Sequence, residues 1–221
     1  MLPSFYIIYK IKGGFTLKRS ILAIAMILMM ILTSCGESVI KHDVYTEIYE
    51  RYTKLESYTA EATVKVVSNL TENEYRIRQY YQSPNKYRID VLDADGTESV
   101  TYIFSDGTVY MRHQSVDPEI MENYIPNDKN YMFIPDFFEG YYKSQSTSVT
   151  ASSSLGSEQV CLNSTLSGSN SFRFSQSLWM DKKTMLPLKL VTYDVNNEPV
   201  VTVEFTDFKL DEKIEDSEFY I

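Results

Sequence analysis

The sequence predicts an α+β domain in which a strongly curved antiparallel β-sheet, a half-barrel, carries helices packed in its concave face. An early segment places apolar residues at helical spacing, and most of the later chain alternates apolar and polar residues with a period of two. One apolar insert interrupts that alternation. A period of two is typical of strands with one buried and one solvated face, which favours an antiparallel sheet.

The composition excludes several other classes of protein. Of the 221 residues, 43% are apolar and 23% are charged, which suits one globular core rather than a disordered or coiled-coil chain. The formal charge is −9. Because duplex nucleic acid is bound through an excess of Lys and Arg, we expect no nucleic-acid partner.

The first 34 residues have the composition of a secretory signal peptide. They contain four Lys or Arg residues and no acid, and residues 21–32 are all apolar. This apolar run is shorter than the roughly 20 residues that span a bilayer as a helix, but it suits the hydrophobic region of a signal. Residues 1–16 precede the compact signal and are interpreted as an over-long start, with translation beginning near Leu17.

Cys35 follows the apolar run directly after Thr33 and Ser34. This order of charge, apolar run, small residues and cysteine resembles a bacterial lipobox, which implies a diacylglycerol thioether on Cys35 and cleavage before it. The alternative is an ordinary cysteine beside a conventional cleavage site. Loss of the four positive charges in residues 1–34 takes the formal charge from −9 to −13. An anionic membrane would repel such a domain, so its lipid has to hold it there.

Residues 35–42 are predicted to form a lipidated tether and residues 43–221 to form the folded domain. Asp43 is the predicted N-cap of a helix over 43–56, and Tyr45 and Tyr49 are expected to widen the core-facing stripe of that helix. Nine strands are predicted from the alternation: 58–66, 74–81, 86–91, 97–104, 108–113, 158–166, 172–180, 186–190 and 199–209.

The alternation breaks over residues 117–143, which are dense in apolar and aromatic side chains. We expect short helices there, the clearer one over 136–143, that plug the open face of the sheet, because so apolar a segment is not stable in water. Phe137 and Phe138 are predicted core residues. The serine-rich residues 144–171 are predicted to be a solvated polar hairpin around strand 158–166, and Phe219 is predicted to dock on the core.

Residues that commonly carry catalysis are scarce. The chain has two His and two Cys residues, and His42 and His113 do not have the spacing of a metal-ligand pair. With Cys35 acylated, Cys161 is the remaining thiol and is interpreted as a small apolar residue within a strand. The sequence contains no glycine-rich phosphate loop and no nucleophile-elbow motif.

Pairs of carboxylates are the remaining candidates for acid–base catalysis. They fall in turns or in an exposed helix, where solvated acids are expected. We therefore expect no enzymatic activity, no catalytic residues, no metal, and no cofactor other than the lipid on Cys35. The three pairs are Asp93 with Asp95, Glu215 with Asp216, and Asp136 with Glu139.

Residues 35–221 resemble a known family. An early helix, a strand meander, a turn from Trp179 through Asp181 and Thr184 to Pro187, and an acidic end are similar to the LolA/LolB/RseB-like superfamily. With the lipobox, the chain resembles the GerS-like germination lipoproteins of spore formers. The resemblance implies a LolA-like fold and a non-catalytic role in germination and cortex processing, as partner or activator of a CwlD-like cell-wall amidase. It also implies lipid anchoring at the extracytoplasmic face of a bacterial membrane, in spores a forespore membrane.

A second non-enzymatic function stays open, since carrier members of this superfamily bind lipid or another hydrophobic ligand in an apolar concavity. Bulky residues between 133 and 142 are large enough to fill that space, and a permanent anchor argues against a shuttling carrier. Both observations favour the binding scaffold. The sequence identifies no partner-binding residues, and a monomer and a homodimer both stay open.

Overall fold

The computed structural model describes residues 36–68, 71–105, 107–114, 116–120, 132–154, 157–166 and 168–220. The predicted signal peptide and Cys35 lie outside these residues. The chain forms two compact units, Met1–Asp43 and Val44–Ile221, and the sheet belongs to the second. No helix in the described ranges is both long enough and apolar enough to cross a membrane.

The first helix, α1, runs over Gly36–Tyr52 rather than over the predicted 43–56. Asp43 is therefore an internal residue and not the N-cap, and residues 36–42 of the predicted tether are helical. The segment before Asp43 contains no proline and no glycine after Gly36, so nothing in it breaks a helix. At the other end, Thr53 donates its backbone N–H and its hydroxyl to Tyr49 O, at 3.0 and 2.6 Å.

Eleven strands form one sheet, and each is antiparallel to its neighbours. The order across the sheet is β6-β5-β4-β3-β2-β1-β11-β10-β9-β8-β7, so the last long strand returns to pair with the first. The strands are β1 (Ser57–Val67), β2 (Glu72–Gln82), β3 (Lys86–Leu92), β4 (Glu98–Ser105), β5 (Thr108–His113), β6 (Glu119–Ile120), β7 (Thr147–Ser154), β8 (Ser157–Thr165), β9 (Ser175–Asp181), β10 (Pro187–Tyr193) and β11 (Pro199–Leu210).

The nine predicted strands are present, although β9 begins at Ser175 rather than at the predicted Phe172, and β6 and β7 are additional. The serine-rich region holds the hairpin of β7 and β8. A second helix, α2 (Ile134–Lys143), lies in the apolar insert and begins two residues before the predicted helix. A short 3-10 helix covers Asp216–Phe219.

A β-bulge in β11 directs two of its phenylalanines into the core. The register between β1 and β11 shifts between Glu61 and Ala62, so one extra residue of β11 lies between Phe205 and Phe208. Two residues three positions apart on a regular strand point to opposite faces, whereas the bulge brings both phenylalanines to the same face. Their rings meet edge to face at 5.4 Å, and both belong to the main core.

The sheet is curved, as predicted. Phe133, directly before α2, makes edge-to-face ring contacts with Tyr87 of β3 and Phe104 of β4, at 4.9 and 6.1 Å. α2 itself lies beside β8. In the sheet order β4 and β8 are seven spacings apart, about 34 Å if the sheet were flat. A helix of ten residues is only about 15 Å long, so the sheet bends around it.

The face of the sheet opposite the helices is partly covered, although the alternation predicted a solvated face. Arg88 and Asp90 of β3 are only 7% and 0% exposed. Arg88 Nε donates to Asp90 Oδ1 at 2.8 Å, and the same guanidinium binds the Glu218 carboxylate of the 3-10 helix. Phe219 is buried, as predicted, but it lies on this face beside Lys86 and not in the main core. The C-terminal segment around Glu218 therefore covers Arg88 and Asp90, which would otherwise be exposed to water.

Candidate functional site

α2 carries large apolar side chains that are buried against the sheet. Pro135 lies in the first turn, where proline is favoured, and the backbone N–H of Ser144 closes the last turn by donating to Tyr141 O. Phe137 and Phe138 are 1% and 2% exposed, so their predicted place in the core is confirmed. We call the buried set the aromatic plug, and its members are Phe133, Ile134, Phe137, Phe138 and Tyr141.

Ring contacts tie the aromatic plug together and connect it to α1. Phe137 meets Phe138 edge to face at 5.4 Å and stacks with Tyr141 at 5.8 Å. Phe138 in turn stacks on Tyr52 of α1 at 4.6 Å. Such aromatic pairs contribute about 0.5–1.5 kcal/mol each beyond the burial of their area. The plug and α1 therefore form one continuous packed unit on the sheet.

Hydrogen bonds from side chains of the sheet hold the segment that contains the first residues of the aromatic plug and the residue before it. Tyr58 Oη donates to Gln79 Oε1, and Gln79 Nε2 donates to Met132 O, both at 3.0 Å. Tyr87 Oη donates to Asp136 Oδ1 at 3.2 Å. Burial raises the pKa of Tyr58 and of Tyr87 well above the usual value, so both phenols stay protonated and act as donors.

Asp136 corrects the prediction that all three carboxylate pairs are solvated. Because α2 begins at Ile134, Asp136 lies in its first turn and faces the sheet, where it is only 7% exposed. Glu139 is exposed and forms an ion pair with Lys143 at 2.6 Å. The two carboxylates thus occupy different environments and do not face each other as an acid–base pair.

The other two carboxylate pairs lie at the surface, as predicted. Asp93 and Asp95 belong to the turn between β3 and β4. Asp95 accepts hydrogen bonds from the backbone N–H and the hydroxyl of Thr97, at 2.9 and 2.7 Å, and these bonds lower its pKa. Glu215 and Asp216 each form an ion pair with a lysine at 2.7 Å.

Cys161 is a buried residue of β8, which confirms its interpretation as a packed side chain. Its Sγ donates to Asn163 Oδ1 at 3.3 Å, and burial raises the pKa of the thiol, which makes it a poor nucleophile. His113 is exposed at the end of β5, and the side chain of His42 lies outside the described residues. Among the described residues, no three His, Cys, Asp or Glu side chains converge as metal ligands.

The turn that carries the sequence resemblance, Asp181–Pro187, is organised by its aspartate. Asp181 Oδ1 accepts hydrogen bonds from the backbone N–H groups of Lys183 and Thr184 and from the Thr184 hydroxyl, at 3.0, 2.7 and 2.9 Å. These bonds lower the pKa of Asp181. Met185 then takes a left-handed backbone with φ of 55°. We call this segment the motif turn.

The motif turn presents two carbonyl oxygens to α1. Arg51 Nη1 donates to Thr184 O at 2.6 Å, and Tyr52 Oη donates to Met185 O at 2.7 Å. Burial raises the pKa of Tyr52, so its phenol remains a donor. The motif therefore has a structural role in this chain, because it anchors the helix that stacks on the aromatic plug.

Two tyrosines predicted to widen the core-facing stripe of α1 lie at its border instead. Tyr49 is 45% exposed and Tyr45 is half-buried. The Tyr49 ring meets Tyr142 edge to face at 5.0 Å and stacks with Tyr45 at 6.4 Å. Tyrosine suits such a position, because its ring packs while its hydroxyl stays in water.

Comparison of the sequence with known proteins gives a family match over most of the chain. A sequence model of the family described as sporulation protein YdcC-like matches residues 17–219. Sporulation protein YdcC of Bacillus subtilis (strain 168) is 20% identical over 212 residues, which are 95% of this chain. The chain spans 60% of the length of that curated relative.

Several solved structures are similar to the chain at low sequence identity. The complex of the CwlD amidase with the GerS lipoprotein from Clostridioides difficile matches at 22% identity, with 76% of this chain and 95% of that chain covered and a TM-score of 0.44. The MucA/MucB complex of Pseudomonas aeruginosa matches at 17% identity, with 81% and 60% covered and a TM-score of 0.46. The LolA superfamily protein NE2245 of Nitrosomonas europaea matches at 12% identity, with 76% and 91% covered and a TM-score of 0.39.

Proposed function

The chain belongs to the sporulation protein YdcC-like family, and from this membership we propose that it is a non-catalytic lipoprotein of the cell envelope that acts in sporulation and germination. In this proposal it binds a cell-wall amidase and supports the processing of the spore cortex. This family membership agrees with the resemblance of the sequence to lipoproteins of spore-forming bacteria.

The main observation in favour of a protein-binding role is that side chains of the chain itself fill one face of the sheet. The aromatic plug and Tyr52 occupy the side on which a carrier would hold a hydrophobic ligand, and ring contacts of 4.6 to 5.8 Å join them. Because the sheet bends around α2, we infer that both helices lie in its concave face. A concavity filled by its own side chains favours a scaffold over a lipid carrier.

The proposed anchor is a diacylglycerol on Cys35, directly before the first residue of α1. Two acyl chains hold a protein at a membrane, since each buried CH₂ contributes about 0.8 kcal/mol. The anchor would place the domain at the extracytoplasmic face, in spores at a forespore membrane. It also fits a protein that works in place rather than one that shuttles.

The proposed partner is an amidase of the CwlD type. The GerS lipoprotein of Clostridioides difficile is found in complex with the CwlD amidase, which makes such an enzyme the first to test. Without residues 1–34 this chain has a formal charge of −13, so a partner surface rich in Lys and Arg would dock faster. A scaffold activates an enzyme by binding its active state more tightly, and about 1.4 kcal/mol of preference shifts that equilibrium tenfold.

An in vitro digest of cortex peptidoglycan tests the proposal. The full chain alone should release no product, the amidase alone should be slow, and the two together should be at least about tenfold faster. Product from the full chain alone would contradict the non-catalytic role. An amidase whose rate and stability do not change on addition of the chain would contradict the scaffold.

Organic extraction of the purified protein separates the scaffold from the lipid carrier. The carrier predicts lipid that co-purifies in stoichiometric amount and without a covalent bond, as detected by mass spectrometry. The scaffold predicts an extract without such lipid, because the aromatic plug fills the face on which it would bind.

A further inference from the structure

A polar cleft of about 490 Å³ lies on the face of the sheet opposite the helices. Its walls come from β2, β4, β5 and the turn between β3 and β4. It contains two arginines and one glutamate, and most of the other side chains end in a hydroxyl or an amide. The lining residues are Arg78, Gly96, Thr97, Glu98, Ser99, Thr101, Arg112 and Gln114.

One arginine of this cleft, Arg112, has no anionic partner in the part of the chain that the structure describes. In the register of the sheet, Arg78, Asp90, Thr101 and Arg112 form one row across β2 to β5. Arg78 forms ion pairs with Glu61 at 3.2 Å and with Glu98 at 3.8 Å. Arg112 is half-buried and faces the neutral Thr101, and within the described residues it forms no ion pair and no side-chain hydrogen bond.

The charge of the cleft favours a ligand with a single negative charge. Arg78 is already paired with Glu61 and Glu98, so Arg112 is the cationic group of the lining that lacks an anionic partner among the described residues. The nearby Asp90 is buried and paired with Arg88 at 2.8 Å, and the same guanidinium is shared with Glu98 and Glu218. A guanidinium binds a carboxylate through two parallel hydrogen bonds, so one carboxylate would satisfy Arg112. A dianionic phosphate would bring more negative charge than Arg112 balances.

The hydroxyl groups of the cleft also indicate which hydrogen-bonding groups a ligand would need. Thr97 Oγ1 donates to Asp95 Oδ1 at 2.7 Å, Ser99 Oγ to Val91 O at 3.1 Å, and Thr101 Oγ1 to Asp90 Oδ1 at 2.9 Å. Each hydroxyl has one proton, and in all three it is already used inside the protein. These oxygens can therefore only accept further hydrogen bonds, so a ligand that contacts them directly has to bring O–H or N–H donors.

We propose that this cleft binds a small monocarboxylate that also carries hydroxyl or amide donors, with Arg112 holding the carboxylate. Its volume lies within the roughly 300–1,000 Å³ of small-molecule sites. A uronic acid and the C-terminus of a short peptide share this chemistry. The site lies apart from the aromatic plug, and it does not depend on the proposed amidase partner.

The experiment is an NMR titration of the ¹⁵N-labelled full chain with four probes. Glucuronate and acetyl-alanyl-alanine carry both a carboxylate and donors, acetate carries only the carboxylate, and glucose carries only donors. At least one of the first two should bind tenfold more tightly than acetate and glucose, with amide shifts in residues 97–101 and 112–114. The one that binds identifies the source of the carboxylate.

Two matched variants assign the binding to the cleft. Arg112→Gln should weaken binding at least tenfold, because it removes the charge and the fork of donors. Arg76→Gln removes the same charge from an exposed arginine of β2 outside the cleft and should change binding by less than twofold.

Three results would overturn the proposal: neither bifunctional probe binding better than acetate, shifts confined to other residues, or equal losses in the two variants. The shift map of the unmodified chain decides the matter even if Arg112→Gln does not fold.

Discussion

Replacement of Phe137 by alanine should destabilise the domain strongly. The side chain is 1% exposed and packs against Phe138 and Tyr141. Truncation of a buried Phe to Ala costs about 3–5 kcal/mol, with the larger values where the surroundings cannot collapse into the cavity. The start of the aromatic plug is fixed by the bond from Gln79 Nε2 to Met132 O, so we expect the upper half of that range.

Thermal and urea unfolding of the full chain, followed by circular dichroism, measure this effect. For a domain of 150–250 residues each kcal/mol lowers Tm by about 2–4 °C, so Phe137→Ala, at about 4–5 kcal/mol, should lower it by about 8–20 °C. Phe172→Ala is the matched control, because it removes the same atoms from a side chain that is 64% exposed. That variant should stay within about 1 kcal/mol of the unmodified chain.

Equal Tm values for Phe137→Ala and Phe172→Ala would refute the packing argument. The aromatic plug would then not be part of the stable core, and the face it fills would be open to a ligand. A loss of stability in Phe137→Ala together with unchanged Phe172→Ala leaves the scaffold interpretation in place.

Three further predictions follow from the anchor and the motif turn. Cys35→Ala should leave a larger, unprocessed precursor that takes up no fatty-acid analogue in metabolic labelling, and retained label would exclude lipidation at Cys35. Tyr52→Phe should lose about 1–3 kcal/mol in urea unfolding, since the buried Met185 carbonyl loses its donor; an unchanged midpoint would show that this bond does not anchor α1. Hydrogen bonds lower the pKa of Asp181, so its stabilisation is present at neutral pH and is lost as the pH falls through that lowered pKa. Asp181→Asn should therefore be less stable than the unmodified chain at pH 7, by a margin that shrinks below about pH 4; a constant margin would contradict the assignment.

Much of the sheet could be predicted because its strands encode their faces locally. Alternation with a period of two places Tyr58 and Ala60 of β1 on the buried face, and both are 2% exposed or less. The alternation does not predict β7, because six of its eight residues are Ser or Thr and its two faces differ little in polarity. The bulge beside Ala62 also has no local signal, since it serves the packing of β11.

Residues buried by distant parts of the chain could not be predicted from local pattern. Arg88 and Asp90 occupy polar positions of an alternating strand, and the alternation gives no hint that the segment around Glu218 returns to cover them. The sequence predicts a solvated Asp136, because carboxylates in turns or an exposed helix usually face water; its burial depends on the distant strand β3, whose Tyr87 donates to it.

If the chain is a scaffold, as proposed, the two anchors of its helical layer would hold the binding surface in place before a partner docks. α1 is attached through Tyr52 to the motif turn, and the aromatic plug is attached through Gln79 to the opposite half of the sheet. The stack of Phe138 on Tyr52 joins the two halves. A surface already ordered in this way loses little conformational entropy when a partner docks, so more of the contact energy appears as affinity. If Tyr52→Phe loosens this layer, the affinity for the proposed amidase partner should fall together with stability, even though Tyr52 itself is buried. An affinity that does not change while stability falls would show that the partner binds a surface independent of the helices.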